Sequence, residues 1–346
     1  MPPSSMRAVT CTGPGQLALE ERPIPEPGPG EVRVKLRGCG ICGSDLSLLS
    51  IGYLGSRITP GHEMTAAVDE LGEGVSGFAI GDTVAVEPIN TCGRCHSCRS
   101  GRDAICPDIQ FLGVHVDGGF ADYVTVPSRR LFLVDARLPI EISALAEPMA
   151  VVIHALKRAQ FSAGQRVLVL GAGSLGLLTV VAARALGAED VWITARHAHQ
   201  AALAEKLGAG RVYREPDATA EKLAVLGREH PIDCAVETVG GQAETLPLAV
   251  AALRPGGVVS IVGLFRGKLE LDPFPLFQKE VTLAWSNCYE HPHQHTDFEN
   301  AIQILTEHRG ELGDITSHQL GLEEIQRGFE LAADKRSGTV KVTVLN

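Results

Sequence analysis

The sequence lacks an uninterrupted apolar run long enough to cross a bilayer. The nearest stretch, residues 167–183 (VLVLGAGSLGLLTVVAA), is charge-free but interrupted by Gly171, Gly173 and Gly176, and it falls just short of the ~18 residues that mark a membrane helix. A buried parallel strand running into a buried helix has the same composition, so no membrane association is expected. The opening residues MPPSSMRAVT contain no apolar segment of signal-peptide length, and a cytoplasmic location is expected. Basic residues are also scarce: 31 Lys and Arg stand against 41 Asp and Glu, a net charge of −10. A nucleic-acid partner, which needs a basic face to neutralise phosphates, is therefore not expected. Hydrophobic residues make up 45 % of the chain and charged residues 21 %, the balance of a globular protein rather than a disordered one. A length of 346 residues predicts about two domains.

Nine cysteines form an odd and uneven set. Cys92, Cys95, Cys98 and Cys106 crowd into one loop, while Cys11, Cys39, Cys42, Cys234 and Cys288 are dispersed. Without an export signal, a cluster of this kind points to metal rather than disulfides. The spacing C-x2-C-x2-C-x7-C lets four thiolates wrap a tetrahedral Zn²⁺ with no open position, a structural arrangement. Cys11, Cys39, Cys234 and Cys288 are read as packing residues.

Two patterns divide the chain. Up to about residue 150, β-like runs such as VRVKL (32–36), MTAAVDEL (64–71) and DTVAVEP (82–88) are separated by Gly/Pro turns, which predicts an irregular, mostly antiparallel domain. Beyond it, strands alternate with helices: RVLVLGAG, then a helix to Ala188, DVWITA, the helix HQAALAEKLGAG, IDCAVETVG, the helix ETLPLAVAALRPGG, VVSIVGL and VTLAWSN. Such alternation implies a parallel sheet covered on both faces. After residue 290 a long amphipathic helix, DFENAIQILTEHRGEL, with Asp297 as its N-cap, leads to the β-like run TVKVTVL. His291, His293 and His295 lie in the polar loop before it and are read as solvated.

Gly171-Ala-Gly173-Ser174-Leu175-Gly176 follows a strand and opens a helix. In that setting the first glycine permits a tight turn, the second lets the backbone approach a pyrophosphate, and the third lets helix pack on strand. The helix N-terminus then offers N–H groups to the phosphates. The next strand should end on an acid that binds the ribose 2′-hydroxyl of NAD. Here Ala195 takes that place, followed by Arg196 and His197. Two cationic candidates without an acid favour a 2′-phosphate, hence NADP(H) over NAD(H); a solvated Arg at a strand end is the alternative.

Three further pieces complete the picture: Cys42-Gly-Ser44-Asp45, Gly61-His62-Glu63 and Glu147 within LAEPMAV. With the four-cysteine loop and the glycine fingerprint, they resemble the zinc-containing medium-chain alcohol dehydrogenases, and within them the polyol, threonine and butanediol dehydrogenase branch. The resemblance covers essentially the whole chain. The family's signature G-H-E-x-x-G-x5-G-x-x-V is met by Gly61, His62, Glu63, Gly72 and Val75, with Ala66 where a glycine is usual. It implies an α/β fold, a GroES-like, mostly β catalytic domain at 1–149 and 289–346 with a Rossmann doubly wound parallel sheet inserted at 150–288.

It also implies two zinc ions per chain. Cys42, His62 and Glu147 would bind the catalytic one, with Glu63 as an alternating ligand. Asp45 would orient the imidazole, for which there is an independent reason, since a metal-bound His donates its other N–H. An open zinc position would polarise an alcohol or carbonyl oxygen. Ser44 matches the hydroxyl that removes the alcohol proton, but Ser47 stands where the relay usually continues to a His. Lys341 is placed like the basic residue that contacts the pyrophosphate in relatives, with an exposed strand lysine as the alternative. The implied reaction is hydride transfer between a nicotinamide cofactor and a secondary alcohol or ketone, a small-molecule partner, in a homodimer or homotetramer. The rivals are a zinc-free quinone-reductase type and a non-catalytic dinucleotide-binding protein; intact ligand sets disfavour both. SLLSIGYLGSRITP (47–60) predicts an apolar pocket near Leu48 and Tyr53, and Trp285-Ser286-Asn287 lacks the arginine that contacts the polyol in sorbitol dehydrogenases.

Overall fold

The computed structural model describes residues 4–52, 58–214, 217–291 and 296–346. Tyr53, His293 and His295 lie outside them. The chain folds into two compact units, Met1–Glu147 with Glu290–Asn346, and Pro148–Tyr289.

The first unit is built on a seven-stranded sheet. Thr316–Gly321, Lys341–Leu345, Glu31–Gly40, Glu63–Leu71, Thr83–Val86 and Leu131–Leu133 lie in that order, and Tyr123–Pro127 also pairs with Glu31–Gly40. All pairs are antiparallel except the first. Along Glu31–Gly40, Val32, Val34 and Leu36 are buried while Lys35 and Arg37 are exposed, the period of two expected of a half-buried strand. Inward-facing Val32, Val34, Val84, Val126 and Val342 join Phe120 and Phe329 in the core. Register places Gly40 opposite both Glu63 and Thr343. At one end of the sheet the end of Glu31–Gly40 therefore meets the beginning of Glu63–Leu71 and the strand Lys341–Leu345, and Cys42, His62 and Glu63 sit there.

The second unit is a six-stranded parallel sheet in the order Arg211–Arg214, Asp190–Ala195, Arg166–Leu170, Ile232–Glu237, Leu253–Ile261, Thr282–Trp285. Val167–Leu170 is fully buried, as a strand covered on both faces must be. The first strand in sequence lies centrally and the order reverses beside it, the doubly wound arrangement in which ligands bind beyond the strand ends.

Local differences from the expected elements have physical causes. The helix expected over 244–257 spans only Thr245–Ala252. Pro255 cannot continue it and biases Arg254 to extended backbone, so Leu253–Ile261 forms a strand. The long helix after residue 296 spans Asp297–Glu307 and stops at His308, with a separate turn at Arg309–Leu312. Its N-cap is Thr296, not Asp297. Thr296 Oγ1 accepts the Glu299 N–H at 3.0 Å and the Glu299 carboxylate accepts the Thr296 N–H at 2.9 Å, a reciprocal capping box. Asp297 instead accepts the Glu290 N–H at 2.9 Å. The short elements Arg211–Arg214, Ala220–Glu229 and Pro273–Lys279 were not expected from periodicity. No helix among the described residues is long and apolar enough to cross a membrane.

Candidate metal centres and dinucleotide site

Cys42 immediately precedes the helix Gly43–Ser50, and its N–H donates to Asp45 Oδ2 at 2.9 Å. Asp45 is thereby fixed in the first helical turn, with Oδ1 3.3 Å from Nδ1 of His62. With Nδ1 facing the carboxylate, His62 turns Nε2 toward Cys42 and toward Ser44, whose Oγ is 3.4 Å away. This orientation leaves Nε2 for a metal and sets a carboxylate beside Nδ1. The edge of the His62 ring meets Phe111, centroids 5.4 Å apart. Burial opposes charge on His62, but Asp45 and Cys42 outweigh it and hold its pKa well above the ordinary value. Gly61 must be glycine. Its φ is +97° and a Cβ would stand 2.9 Å from both Cys39 and Phe120.

Glu63 follows His62 into the strand, and the ligand atoms of Cys42, His62 and Glu63 lie within 4.8 Å of one another. Lys341 Nζ donates to both Glu63 oxygens, at 2.6 and 2.7 Å, and to the Ile41 carbonyl at 3.3 Å. Burial works against the Lys341 ammonium, and Glu63 more than compensates, raising its pKa. Glu147, in the first turn of Ala146–Arg158, is buried beside this group. Its carboxyl lies outside the 4.8 Å cluster. Burial pushes it up to about 7, with Glu63 adding to the effect and His62 and Lys341 opposing it. A thiol and three buried carboxyl groups face the buried Lys341 ammonium, the partly buried Lys335 ammonium and one imidazole. That excess of anionic donors suits a divalent cation of intermediate softness such as Zn²⁺.

The four-cysteine loop shows the same fit more sharply. Its Sγ–Sγ separations are 3.5 Å (Cys95–Cys98), 3.6 Å (Cys92–Cys106), 3.9 Å (Cys95–Cys106) and 4.0 Å (Cys92–Cys98). A tetrahedron with Zn–S bonds of about 2.3 Å has edges of about 3.8 Å. Backbone N–H groups of Arg94 and Cys95 pull the Cys92 thiol down to about 7, whereas burial pushes Cys98 up to about 12. Four thiols this close ionise together only around a cation.

In the second unit, Gly171 turns the chain at φ +98°, and its N–H donates to Thr194 Oγ1 at 2.9 Å. A Cβ on Gly176 would stand 1.8 Å from the Gly171 carbonyl oxygen, whereas a Cβ on Gly173 would meet nothing within 4 Å. The third glycine is thus a packing requirement and the second leaves open space. Gly173 caps Ser174–Ala185 without a side-chain hydrogen bond, so the N–H groups of Ser174 and Leu175 begin a helix suited to an anion. Thr238 Oγ1 braces the turn, donating to the Leu170 carbonyl at 2.9 Å. Ala195 is buried at the end of its strand, Arg196 is exposed, and His197 caps the next helix with its ring stacked on His199.

Two expectations require correction. Lys341 is not an exposed strand lysine. It is 3 % exposed, and its three hydrogens are used by Glu63 and Ile41. His291 is not solvated: its Nε2 contacts the Glu87 carboxylate and lies 2.9 Å from Arg130 Nη1. The buried cluster of Glu87, Arg130 and Asp103 was missed, because no local pattern marks residues that meet only in the fold. Cys11, Cys39 and Cys234 are buried and Cys288 is partly so. Leu48 packs partly buried against the core.

Residues 28–139 match the alcohol dehydrogenase GroES-like domain, and residues 174–307 match the zinc-binding dehydrogenase domain. Sorbitol dehydrogenase of Bacillus subtilis is 32 % identical over 99 % of this chain and 98 % of its own. L-threonine 3-dehydrogenase of Pyrococcus horikoshii is 32 % identical over 97 % of each. A structure from Sinorhizobium meliloti, described as a zinc-binding dehydrogenase and bound to NADP, superposes with a TM-score of 0.89 at 32 % identity, covering 99 % of this chain and 100 % of that one. Along nearly its whole length, then, this chain belongs to the zinc-binding medium-chain alcohol dehydrogenases, in the branch of the polyol and threonine dehydrogenases, and is an NAD(P)-dependent oxidoreductase of alcohols.

Proposed function

We propose that the enzyme interconverts a secondary alcohol and its ketone with NADP(H) in preference to NAD(H), and holds two zinc ions per chain. Met1–Glu147 with Glu290–Asn346 is assigned the catalysis and Pro148–Tyr289 the dinucleotide. The observation that carries the reading is the meeting of the partly buried Cys42 with the buried pair His62 and Glu63 from a separate segment, beside Glu147.

A zinc ion held by Cys42, His62 and Glu147, with Glu63 as the alternate ligand, supplies Lewis acidity to the substrate oxygen. The nicotinamide supplies the hydride acceptor or donor. The chain's own groups do the rest. Asp45 faces Nδ1 of His62, Lys341 pairs with Glu63 inside the ligand cluster, and Ser44, 3.4 Å from His62 Nε2, takes the hydroxyl proton from the alcohol. Ser47 stands where the relay usually continues to a histidine. Ser44→Ala should slow alcohol oxidation by about 10²–10⁴-fold with zinc retained.

The cofactor preference is supported by Ala195, which leaves no carboxylate to repel a 2′-phosphate, and by Arg196, which can pair with one. A charge-assisted hydrogen bond of roughly 1.5–3 kcal/mol corresponds to about 10- to 150-fold in affinity. The test is kcat/KM for NADP and NAD over a panel of alcohols and ketones at fixed salt. NADP should be preferred, and Ala195→Asp with Arg196→Leu should reverse the preference. A clear NAD preference in the unaltered enzyme overturns the assignment.

A homodimer or homotetramer is proposed from the second unit's edge strand Thr282–Trp285, where Trp285 is exposed, and from the helix Pro273–Lys279 before it, where Phe277 is 81 % exposed. Such apolar surface beside an open sheet edge is normally covered; light scattering reads the mass. Nine cysteines, none of them in a disulfide, suit a reducing compartment such as the cytoplasm.

A further inference from the structure

The four-cysteine loop is tied to the chain at the point where it re-enters the first unit. That unit resumes at Glu290, and both Glu290 and His291 are held by the loop. The His291 N–H donates to the Gly101 carbonyl at 2.7 Å, and Arg102 Nε donates to Glu290 Oε1 at 3.1 Å. Gly101 and Arg102 lie between Cys98 and Cys106. Behind them, Arg130 joins the loop to the same segment. Its Nη2 donates to Asp103 Oδ2 at 2.5 Å and to Thr91 Oγ1 at 3.0 Å, and its Nη1 donates to Glu87 Oε2 at 2.6 Å and lies 2.9 Å from His291 Nε2. Thr91 adjoins Cys92, and Thr91 Oγ1 donates to Asp103 at 3.3 Å. Glu87 and Arg130 are buried among these partners.

We infer that this cluster is a latch in which zinc in the cysteine loop and order at Glu290–His291 reinforce each other, with Arg130 and His291 as positioning residues. The inference rests on the reading of Cys92, Cys95, Cys98 and Cys106 as a zinc site. The reasoning is geometric. The loop has only a four-residue helix, His96–Arg99, and a three-residue 3₁₀ turn, Asp103–Ile105, so it depends on its metal and on Arg130 for its shape. The carbonyl and guanidinium that hold Glu290 and His291 are carried on that shape. A buried guanidinium with three acceptors has few alternative placements, so a change on one side is felt on the other. Coupling between two sites is reciprocal: whatever factor zinc contributes to closing the His291 contact, that contact returns to zinc retention.

The test uses the full-length holoenzyme. Zinc release into a chromophoric chelator is followed for the unaltered protein, His291→Asn and Arg130→Gln. The loop phase is identified by alkylation of Cys92–Cys106 as zinc leaves. In parallel, hydrogen exchange of the His291 amide is resolved by electron-transfer fragmentation before and after loop zinc is removed. The expected result is about tenfold faster loop release in His291→Asn with the other zinc's release unchanged, and a similar factor in His291 amide exchange on zinc removal. A residue with a merely structural role would not move the two factors together. His291 is on the periphery of the cluster, so its variant remains informative if Arg130→Gln fails to fold. Two zinc ions with unchanged loop release in His291→Asn overturn the latch alone. A holoenzyme without loop zinc overturns the zinc reading and the latch with it.

Discussion

Gly40→Ala perturbs the catalytic cluster at one point, the carboxylate of Glu63, the proposed alternate ligand. A Cβ at that position would stand 1.9 Å from Glu63 Oε2, so the carboxylate must retreat by about 1.5 Å to reach ordinary contact. The carboxylate is the far end of a side chain, but it is not free to swing. It is buried and pinned by Lys341 at 2.6 and 2.7 Å. Leaving such an ammonium unpaired costs about 3–5 kcal/mol, and weakening hydrogen bonds to a charged group costs about 1.5–3 kcal/mol. A shift of this size loosens the pair rather than abolishing it, so a loss of about 2 kcal/mol is expected. The assay is urea unfolding at fixed zinc, run as a double-mutant cycle. In a Glu63→Ala, Lys341→Met background both partners are gone, and Gly40→Ala should cost less than about 0.5 kcal/mol. Equal penalties in the two backgrounds would show that the clash is with something else and refute the reasoning.

Cys98→Ser should lower zinc content by one ion per chain and lower the melting temperature, read by metal analysis and calorimetry on the same sample. Gly173→Ala should leave unfolding unchanged yet weaken dinucleotide binding, since its methyl enters open space, whereas Gly176→Ala should destabilise because its methyl meets backbone at 1.8 Å; urea melts and cofactor titration separate the two. Burial pushes the Asp122 carboxyl up, but Arg7, donating at 2.7, 2.8 and 3.2 Å, outweighs it and holds it below the ordinary range. A carboxylate with a depressed folded-state pKa stabilises above its unfolded value and loses that contribution as pH falls through the folded one. Asp122→Asn should therefore flatten the acid limb of stability below about pH 4, by about 1 kcal/mol at most because Arg7 is partly exposed; an unchanged limb contradicts the pairing.

What could be read from the sequence was what lies close along it. The four cysteines and the glycine fingerprint each occupy one short segment, and their spacing carries the geometry. Cys42, His62 and Glu147 are far apart, and only the family resemblance gathered them. The partner of Lys341 was not legible: it lies 278 positions away, and a lysine in TVKVTVL reads as an exposed strand residue. His291 likewise reads as a polar loop residue until Arg130 and Glu87, 161 and 204 positions distant, close around it. At the helix start the sequence points to Asp297 as the cap; Thr296 takes that place because Asp297 is used by the Glu290 N–H, a partner seven positions away that no local pattern marks.

The most direct test of the account is metal content, cofactor binding and turnover measured together on His62→Ala. Loss of the imidazole should remove one of two zinc ions and abolish alcohol oxidation, while dinucleotide affinity stays within about twofold, since that site is assigned to the other unit. A His62→Ala enzyme that keeps both zinc ions and turns over alcohol at the original rate would contradict it.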